Sequence, residues 1–313
     1  MNTKKTTKKR DITPLSVVIC VLLTIYAISM ILLLFYGVIN SLKSNVDFLN
    51  GNKAFGWPRK KFSQQEIFGK NYLLIFQNFN IKVSTSFYTL FGKVSKNKEV
   101  GFLEMLWYTI LYTGVGALLL AIVPMVVGYI CAKYKNVLTK IVSAVALIIL
   151  TLPIVGTETS MVTLMRNLGL YDNILGNWIQ KFNFTGMYFF VYLAFFKGLS
   201  NTYSEAAEMD GASQLKIMLN INFPLAIKIF TSIFLLQFVS LWNDYQAPLL
   251  YLPTHPTLAY GIYALVMSDA NRKLSKTPIK IAGCMSLALP ILLIYVIFKD
   301  KLMGDVSLGG IKE

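Results

Sequence analysis

A polar segment that lies between two apolar stretches carries the side chains most suited to chemistry at a protein surface. Glu205 and Asp210 offer carboxylates that can pair with basic groups of another protein. Ala206 and Ala207 have side chains small enough for that protein to approach closely. Gly211 lets the backbone turn without a Cβ clash. These residue types therefore suit a surface that binds another protein.

Catalytic and metal-binding patterns are missing from the sequence. The single histidine, His255, lies in a Pro-Thr-His-Pro stretch that predicts a rigid surface turn. Cys20, Cys131 and Cys284 are far apart in or beside apolar runs, as expected of small packing residues. No zinc-protease, serine-hydrolase or G-x-x-x-x-G-K-[ST] phosphate-binding pattern occurs. The sequence therefore predicts that this chain is not an enzyme and holds no cofactor or metal of its own.

Local signals in the polar segment predict two short helices. Glu205–Met209 is a strong helix former, and we expect Ser204 to be its N-cap. Gly211 supplies the turn, and Ala212–Asn220 forms the second helix. Pro224 suits the first turn of the helix that follows, because the N–H that proline lacks has no partner there in any case.

Composition identifies the environment in which this segment works. A chain of 313 residues that is 55% hydrophobic and 14% charged, with a mean hydropathy of +0.56, is too apolar for a soluble protein. Two uncharged runs, Ile12–Leu42 and Met105–Ala132, exceed the roughly 20 residues that a spanning helix needs. Flanking lysines can extend four shorter uncharged runs: Ile141–Thr157, Phe182–Phe196, Ile229–Asn243 and Ile281–Phe298. We therefore predict an all-α integral membrane protein with six transmembrane helices.

The distribution of lysine and arginine sets the predicted orientation. With the N-terminus in the cytoplasm, the inside segments carry 14 basic residues and two short outside loops carry 6. The other 10 lie in the first outside segment, whose length is one at which the rule loses force. Both termini are therefore predicted to be cytoplasmic. Much of the net charge of +15 comes from lysines and arginines in the loops and tails, where they set the orientation of the helices. No soluble basic domain remains to bind nucleic acid.

These assignments divide the chain into a cytoplasmic tail, a first span, an extracytoplasmic segment, a membrane core and a second cytoplasmic tail. The first apolar run is longer than the roughly 7–15 residues of a signal-peptide core, so it predicts a retained helix. A capping-box pattern at Ser63–Glu66 predicts a short helix in the extracytoplasmic segment. The predicted boundaries are 1–11, 12–42, 43–104, 105–298 with helices 2–6 and a cytoplasmic coupling loop at 197–228, and 299–313.

The spacing E-A-A-x3-G-x9-I-x2-P in the polar segment resembles the coupling motif of bacterial ABC importer permeases, the membrane subunits that dock on a separate ATPase. Six specified positions over 20 residues, in a cytoplasmic loop before the penultimate helix, make an ordinary interhelical loop a poor alternative. Phe223 stands where the motif usually has leucine. The resemblance assigns ATPase coupling to Glu205, Ala206, Ala207, Asp210, Gly211, Ile221 and Pro224.

Three further stretches are similar to the carbohydrate-type permeases of this family. Ser240–Leu250 looks like the W-N-[DE]-aromatic…P-L stretch that ends their fifth helix. Asn40–Lys43 looks like their exit from the first helix, and Leu308–Glu313 like their tail, with Glu313 in place of a final glycine. The closest subgroup is the shorter of the two permeases in maltose-type importers. Asn78–Glu99 is longer than usual for that subgroup.

The resemblance implies a type I importer in the cytoplasmic membrane of a bacterium. Its parts are two permeases, two ATPase copies that hold ATP and Mg²⁺, and an extracytoplasmic solute-binding protein, with membrane lipid around the permeases. The solute is expected to be a sugar or oligosaccharide. Two alternatives remain at this point: an ABC permease for a non-sugar solute, and a secondary transporter or membrane enzyme with a chance motif.

A candidate solute pathway follows from the polar and aromatic residues near the predicted outer ends of the third and fifth helices. Trp242, Asn243 and Tyr245 combine aromatic faces with a planar hydrogen-bonding group, which suits a sugar ring and its hydroxyls. Glu158 lies near the outer end of the third helix. The alternative is that Trp242 and Tyr245 are interfacial anchors, with Asn243 and Asp244 capping the helix end.

Overall fold

The computed structural model describes residues 14–49, 55–59, 69–89, 92–152, 156–267 and 274–306. The predicted helix start at Ser63–Glu66 and the tail at Leu308–Glu313 lie outside these residues. The helices are α1 (Pro14–Ser41), α2 (Asn45–Leu49), α3 (Lys70–Asn78), α4 (Phe102–Lys133), α5 (Val137–Thr151), α6 (Thr157–Asn167), α7 (Ile174–Gln180), α8 (Met187–Gly198), α9 (Thr202–Met209), α10 (Gln214–Ile217), α11 (Phe223–Trp242), α12 (Gln246–Tyr251), α13 (Leu258–Met267) and α14 (Thr277–Val306). A π-helical turn at Met218–Asn222 joins α10 to α11, and strands β1 (Asn80–Thr89) and β2 (Gly92–Gly101) precede α4.

Four helices in the described part of the chain are long and apolar enough to cross a membrane. They are Pro14–Ser41, Phe102–Lys133, Gln214–Trp242 and Thr277–Phe298. The third joins α10, the π-helical turn and α11 into 29 continuous residues. Its uncharged part is only about half as long. The sequence underestimated this helix because the helix continues through the polar residues of the coupling segment.

The other two predicted spans correspond to shorter helices. α5 has 15 residues and α8 has 12. At about 1.5 Å per residue they measure roughly 22 and 18 Å, against a hydrocarbon core of about 30 Å. α5 begins sharply, because Asn136 and Thr139 form a capping box in which each side chain accepts from the other's backbone N–H at 3.3 Å. The count of six spans therefore stays a prediction.

The prediction of an all-α chain is wrong for the segment before α4. β1 and β2 pair antiparallel from Asn80 opposite Gly101 to Thr89 opposite Gly92. Val83 and Phe87, which are four residues apart, are buried, whereas Ser84 and Ser86 are exposed. Buried and exposed residues thus follow the two-residue period of a half-buried strand. The pattern is hard to detect in β2, because lysines occupy positions on its inner face.

α4 is the central helix of the core. It packs against α8 and α11, and a cluster of buried aromatic rings fills the contact with α8. Gly128 permits the close approach of these two helices, because a Cβ there would lie 3.0 Å from the Cβ of Tyr192 and 3.2 Å from the backbone nitrogen of Leu193. By contrast, the apolar stretch of α1 is exposed in this chain, and α1 contacts α14.

Asp172, in the loop between α6 and α7, fastens the hairpin to the body of the protein. Its buried carboxylate accepts hydrogen bonds from the Thr254 backbone N–H at 2.9 Å and hydroxyl at 2.6 Å. The Lys96 ammonium of β2 lies 3.0 Å from the same carboxylate, and His255 Nδ1 lies at 3.4 Å. Burial opposes ionisation of Asp172, but hydrogen bonds from His255, Thr254 and Lys96 prevail and lower its pKa to about 2. We call this part of the molecule, with β1, β2, Asp172 and Thr254, the hairpin end.

Candidate functional site

The predicted coupling segment forms a compact pair of short helices. α9 ends in a Schellman motif, in which the Ala212 N–H donates to the Ala207 carbonyl at 2.9 Å and the Gly211 N–H to the Glu208 carbonyl at 3.0 Å. Gly211 has a φ of +78°, in the left-handed region that glycine occupies without strain. The turn expected at Gly211 is therefore confirmed. Ser213 starts α10, since its hydroxyl accepts from the Lys216 N–H at 3.4 Å.

The prediction that Ser204 caps the first helix is wrong. α9 begins two residues earlier, at Thr202, with Asn201 at the N-cap position. The Ser200 side chain lies 2.7 Å from the Thr202 hydroxyl and 3.3 Å from its N–H, and so supports the helix start. Ser204 is instead buried within the first turn. The earlier start explains the error, because serine and threonine occur at three nearby positions and each can cap a helix.

The second helix differs from the predicted Ala212–Asn220. α10 ends at Ile217, and the chain then widens into the π-helical turn, where the Phe223 N–H donates to the Met218 carbonyl. Pro224 lies in the first turn of α11, as predicted. It has no N–H, and its ring would clash with the carbonyl four residues earlier in a regular α-helix. The wider turn removes this conflict and keeps the helix continuous.

The outward face of this helix pair carries the features of a protein-docking surface. Glu205, Ala206 and Asp210 are exposed, whereas Ala207 and Ile221 are half-buried. Large apolar side chains are exposed beside them, with Met209 at 89% and Leu215 at 65%. A concave cavity of about 510 Å³ lies between α9 and α10, lined in part by Ala207, Gly211 and Ile221. Exposed apolar groups with a polar rim are typical of protein interfaces.

Side chains at the C-terminal end of α4 contact α9 and α10, which we call the coupling helices. The Lys133 ammonium donates to the Asn201 side chain at 2.7 Å, at the start of α9. The Tyr134 hydroxyl, in the residue after α4, donates to Gln214 Oε1 at 3.3 Å, and Gln214 Nε2 donates to Glu208 at 2.7 Å. Both short helices are therefore attached to α4 by side chains as well as by the chain itself.

Asn222 is a buried residue behind the docking surface that the sequence analysis missed. It is 2% exposed, and its amide lies 3.4 Å from the Ser204 hydroxyl, 3.5 Å from the Tyr129 hydroxyl and 3.4 Å from the Ile217 carbonyl. The only signal in the sequence is an asparagine within an apolar stretch, at a position that the motif leaves unspecified. We call Asn222, Ser204 and Tyr129 the buried junction.

The structure places the candidate pathway residues of the fifth span in different surroundings. Trp242 is 4% exposed, stacks on Phe238 at 5.8 Å, and donates from Nε1 to the Leu287 carbonyl of α14 at 3.0 Å. Asn243 is exposed and donates to the Val239 carbonyl at 3.0 Å, at the C-terminus of α11. Tyr245 stacks on the ring of Tyr263 at 4.4 Å. Trp242 therefore packs between helices in this conformation, whereas Asn243 and Tyr245 are accessible.

Glu158 and Asp244 belong to a polar cluster that the sequence did not indicate. Glu158 accepts a hydrogen bond from the Tyr251 hydroxyl, and Asp244 accepts one from the Tyr112 hydroxyl at 2.7 Å. The Lys181 ammonium lies 3.4 Å from that hydroxyl. Burial lowers the pKa of Lys181, and the charges of Asp244 and Glu158 oppose this effect. The cluster links α4, α6, α12 and the loops beside α7 and α11.

The described residues do not meet the requirements of a metal site. Among the residues that the structure describes, no three His, Cys, Asp or Glu side chains are grouped closely enough to hold a metal ion.

Comparison with known proteins identifies the family. The chain matches the family described as "Binding-protein-dependent transport system inner membrane component" over residues 124–302, which is more than half of its length. The chain therefore belongs to this family of transporter permeases and is a multi-pass protein of the cytoplasmic membrane.

Individual relatives extend this similarity. The melibiose/raffinose/stachyose import permease protein MelC of Bacillus subtilis is 28% identical over 211 residues, which cover 65% of this chain and 74% of MelC. The trehalose transport system permease protein SugB of Mycobacterium tuberculosis is 22% identical over 204 residues, 64% of this chain and 74% of SugB. The matched residues thus extend beyond the coupling segment.

A solved structure shows the same fold. A chain of a bacterial ABC transporter involved in the import of the acidic polysaccharide alginate superposes with a TM-score of 0.70 and 21% identity. The superposition covers 94% of this chain and 98% of the other. The two chains therefore share one fold over nearly their whole lengths.

Proposed function

We propose that this chain is a permease subunit of an ATP-driven importer and couples the motion of a separate ATPase to alternating access across the membrane. The observation that carries the proposal is the exposed pair α9 and α10, turned at Gly211, with Glu205 and Asp210 on its outward face. Its family supplies the context, since the family's inner membrane components work with binding proteins. Glu205, Ala206, Ala207, Asp210, Gly211, Ile221 and Pro224 form the proposed coupling site.

The solute that we propose is a sugar or oligosaccharide. MelC, SugB and the arabinooligosaccharide permease AraQ of Bacillus subtilis are named for such solutes. The sequence Trp242-Asn-Asp-Tyr245, typical of carbohydrate permeases, supports the same class. Asn243, Tyr245 and Glu158 are the accessible members of the proposed pathway. Trp242 takes part only if α11 and α14 separate, since its indole is buried between them.

The proposed topology has six spans, with both termini and the coupling helices in the cytoplasm and the hairpin end outside. α5 and α8 supply the third and fourth spans. Each is shorter than the bilayer core, but Lys140 in the first turn of α5, Lys197 in the last turn of α8 and Lys181 in the loop before α8 can extend their side chains to the two surfaces. The proposed divisions remain 1–11, 12–42, 43–104, 105–298 with the loop 197–228, and 299–313.

The proposed assembly contains two different permeases, two ATPase subunits and an extracytoplasmic solute-binding protein. ATP and Mg²⁺ act on the ATPase, and the loaded binding protein acts at the hairpin end. ATP and the loaded binding protein each shift the equilibrium between two conformations of the permeases. Because both act on the same equilibrium, the sites at the two ends are coupled.

The test uses the complete complex, purified from its native membrane through a tag on this chain. We expect an ATPase to co-purify, and Glu205→Lys to reduce its recovery by about tenfold, because like charges placed opposite each other weaken an interface. Gly211→Pro should act similarly, because proline cannot adopt the positive φ. Glu99→Lys on β2 is the matched charge reversal at the hairpin end, and it should leave ATPase recovery unchanged. Full recovery with both Glu205→Lys and Gly211→Pro would refute the docking assignment.

A further inference from the structure

The buried junction joins three parts of the coupling region that are distant in sequence. Ser204 precedes Glu205 on α9, Asn222 closes the π-helical turn, and Tyr129 lies one turn before the end of α4. The Asn222 amide nitrogen is the shared donor, and its two N–H groups face three acceptors within 3.5 Å, which are the two hydroxyl oxygens and the Ile217 carbonyl. A buried amide requires such partners, because a polar group that is buried without a hydrogen bond destabilises the folded protein.

The junction reinforces an attachment of the coupling helices to α4. Lys133 holds the start of α9 and Tyr134 holds the start of α10, as described above. Both of these contacts are exposed to solvent, whereas Asn222 is buried. Exposed polar contacts contribute little to stability because water competes for them. Of the three contacts, the buried one therefore limits the movement of the coupling helices most.

The other half of α4 is fastened to the hairpin end in the same way. The Thr109 hydroxyl accepts from the Leu258 N–H at 2.7 Å, and the Tyr112 hydroxyl donates to Asp244 at 2.7 Å. Glu104 pairs with Lys98 of β2 at 2.5 Å. α4 has 32 residues and is therefore about 48 Å long. One helix thus connects the coupling helices directly with the loops of the opposite end.

We propose that Asn222 is a positioning residue that locks the coupling helices to α4, so that their displacement by the ATPase moves α4 and the loops attached to its far end. The inference rests on the proposed function. It adds a residue at a position that the coupling motif leaves unspecified, and it names the helix that carries the motion. In this arrangement, a tilt of α9 and α10 relative to α4 breaks the buried hydrogen bond from Asn222 to Tyr129, which is the member of the junction that lies on α4. Loss of the junction leaves the docking surface intact but lets it move alone.

Two variants remove the link between Asn222 and α4 with little change in shape. Asn222→Leu replaces the amide with an apolar group of similar size, and Tyr129→Phe removes one hydroxyl. Each has a matched control away from the junction: Asn167→Leu at the exposed end of α6, and Tyr295→Phe on the exposed part of α14. All variants are made in the complete complex, in a chain whose three cysteines are replaced by alanine.

The measurement reports motion at the hairpin end and uses Mg·ATP with vanadate as the probe. A single cysteine at Gln246, two residues after Asp244, is exposed and reacts with a membrane-impermeant maleimide. We expect trapping with vanadate to change its reaction rate about tenfold in the parent and in both controls, a typical size for coupling between two sites. In Asn222→Leu and Tyr129→Phe this change should shrink to less than about twofold, with ATPase recovery and basal ATP hydrolysis unchanged.

The outcomes separate the inference from the proposed function. A tenfold response that persists in both junction variants overturns the role of Asn222. Loss of the response together with loss of ATPase recovery indicates a merely structural residue and overturns it as well. If Asn222→Leu does not assemble, Tyr129→Phe decides. Failure of any ATPase to co-purify with the parent chain counts against the proposed function instead.

Discussion

At the scale of single residues, the described structure shows how one polar side chain can bind several chain segments. Asp172 receives hydrogen bonds from residues more than 70 positions away on either side, in β2 and in the loop before α13. Its own backbone has a φ of +55°, an uncommon value for a non-glycine residue, which aspartate tolerates better than most. The hydrogen bonds of its carboxylate to Thr254 and Lys96 accompany this conformation.

We predict that Asp172 makes stability at the hairpin end depend on acid pH. Its pKa is lowered from 3.8 to about 2 on folding, so the stabilisation is complete above pH 3.8 and is lost as the pH falls toward 2. The facing groups, Lys96 and His255, favour the ionised carboxylate. The shift corresponds to about 2 kcal/mol. Asp172→Asn should lower the free energy of unfolding in detergent by about this amount at neutral pH and flatten its fall below pH 4.

The control for this measurement is Asp210→Asn, at an exposed aspartate of the coupling helices. It should leave the acid limb of the stability curve as it is in the parent. An Asp172→Asn protein that loses stability between pH 4 and 2 as steeply as the parent would contradict the assignment.

Trp242 gives a second prediction at this scale, which separates a packing role from a pathway role. Trp242→Ala should destabilise the protein by about 3–5 kcal/mol, because it removes a buried ring between α11 and α14. Trp242→Phe keeps most of the volume and should cost only about 1 kcal/mol for the lost hydrogen bond to Leu287. Thermal unfolding in detergent measures both. Asn243→Ala, on the exposed neighbour, serves as the comparison, and an equal loss of stability there would argue against the packing role.

At the scale of elements, the hairpin is a two-stranded unit that depends on the body beneath it. Two strands alone are marginally stable in water, so their attachment decides whether they remain ordered. Phe87 packs edge-on against Tyr171 at 4.8 Å, and Lys96 and Lys98 reach from the inner face of β2 to Asp172 and Glu104. These two lysines thus attach the hairpin to the body of the protein while their side chains stay partly exposed.

We therefore predict that Lys96→Met loosens the hairpin, whereas Lys82→Met does not. Lys96 is paired with the buried Asp172, and Lys82 lies on the exposed face of β1 opposite Glu99. Each variant removes one site of trypsin cleavage, so the number of sites stays matched. Cleavage within residues 80–101 should become about tenfold faster in Lys96→Met, which corresponds to about 1.4 kcal/mol in the opening equilibrium. Equal cleavage rates in the two variants would remove Lys96 from the attachment.

At the scale of the whole molecule, the proposed topology places the coupling helices and the hairpin on opposite sides of the membrane. α4 connects them, and the four long apolar helices determine how the chain lies in the bilayer. The basic residues of the segment 43–104 are the feature that opposes this orientation, and their number makes a direct test worthwhile.

We predict that single cysteines at Lys216 and Lys82 label from opposite sides. In a chain without Cys20, Cys131 and Cys284, Lys82→Cys should react with an impermeant thiol reagent in intact cells. Lys216→Cys should react only after the membrane is opened. Both positions are exposed, so burial does not confuse the comparison. Labelling of position 216 in intact cells would reverse the proposed orientation.

The sequence by itself determined those features that depend on a few neighbouring residues or on composition. Four membrane-length apolar helices, the turn at Gly211 and the place of Pro224 follow from hydropathy and from the allowed backbone angles of glycine and proline. The structure confirms these features. The coupling motif likewise led to the family that the comparison confirms. These properties need no knowledge of which segments meet in space.

Only the tertiary structure decided which polar side chains meet. Asn222 lies 93 residues from Tyr129, and Tyr112 lies 132 residues from Asp244, so no local pattern brings either pair together. The burial of Ser204 likewise depends on the packing of the coupling helices against α4. The pairing of Lys96 with Asp172 depends on the packing of the hairpin. The physical reason is that backbone preferences act over a few residues, whereas burial and hydrogen-bond partners are set by contacts between distant helices.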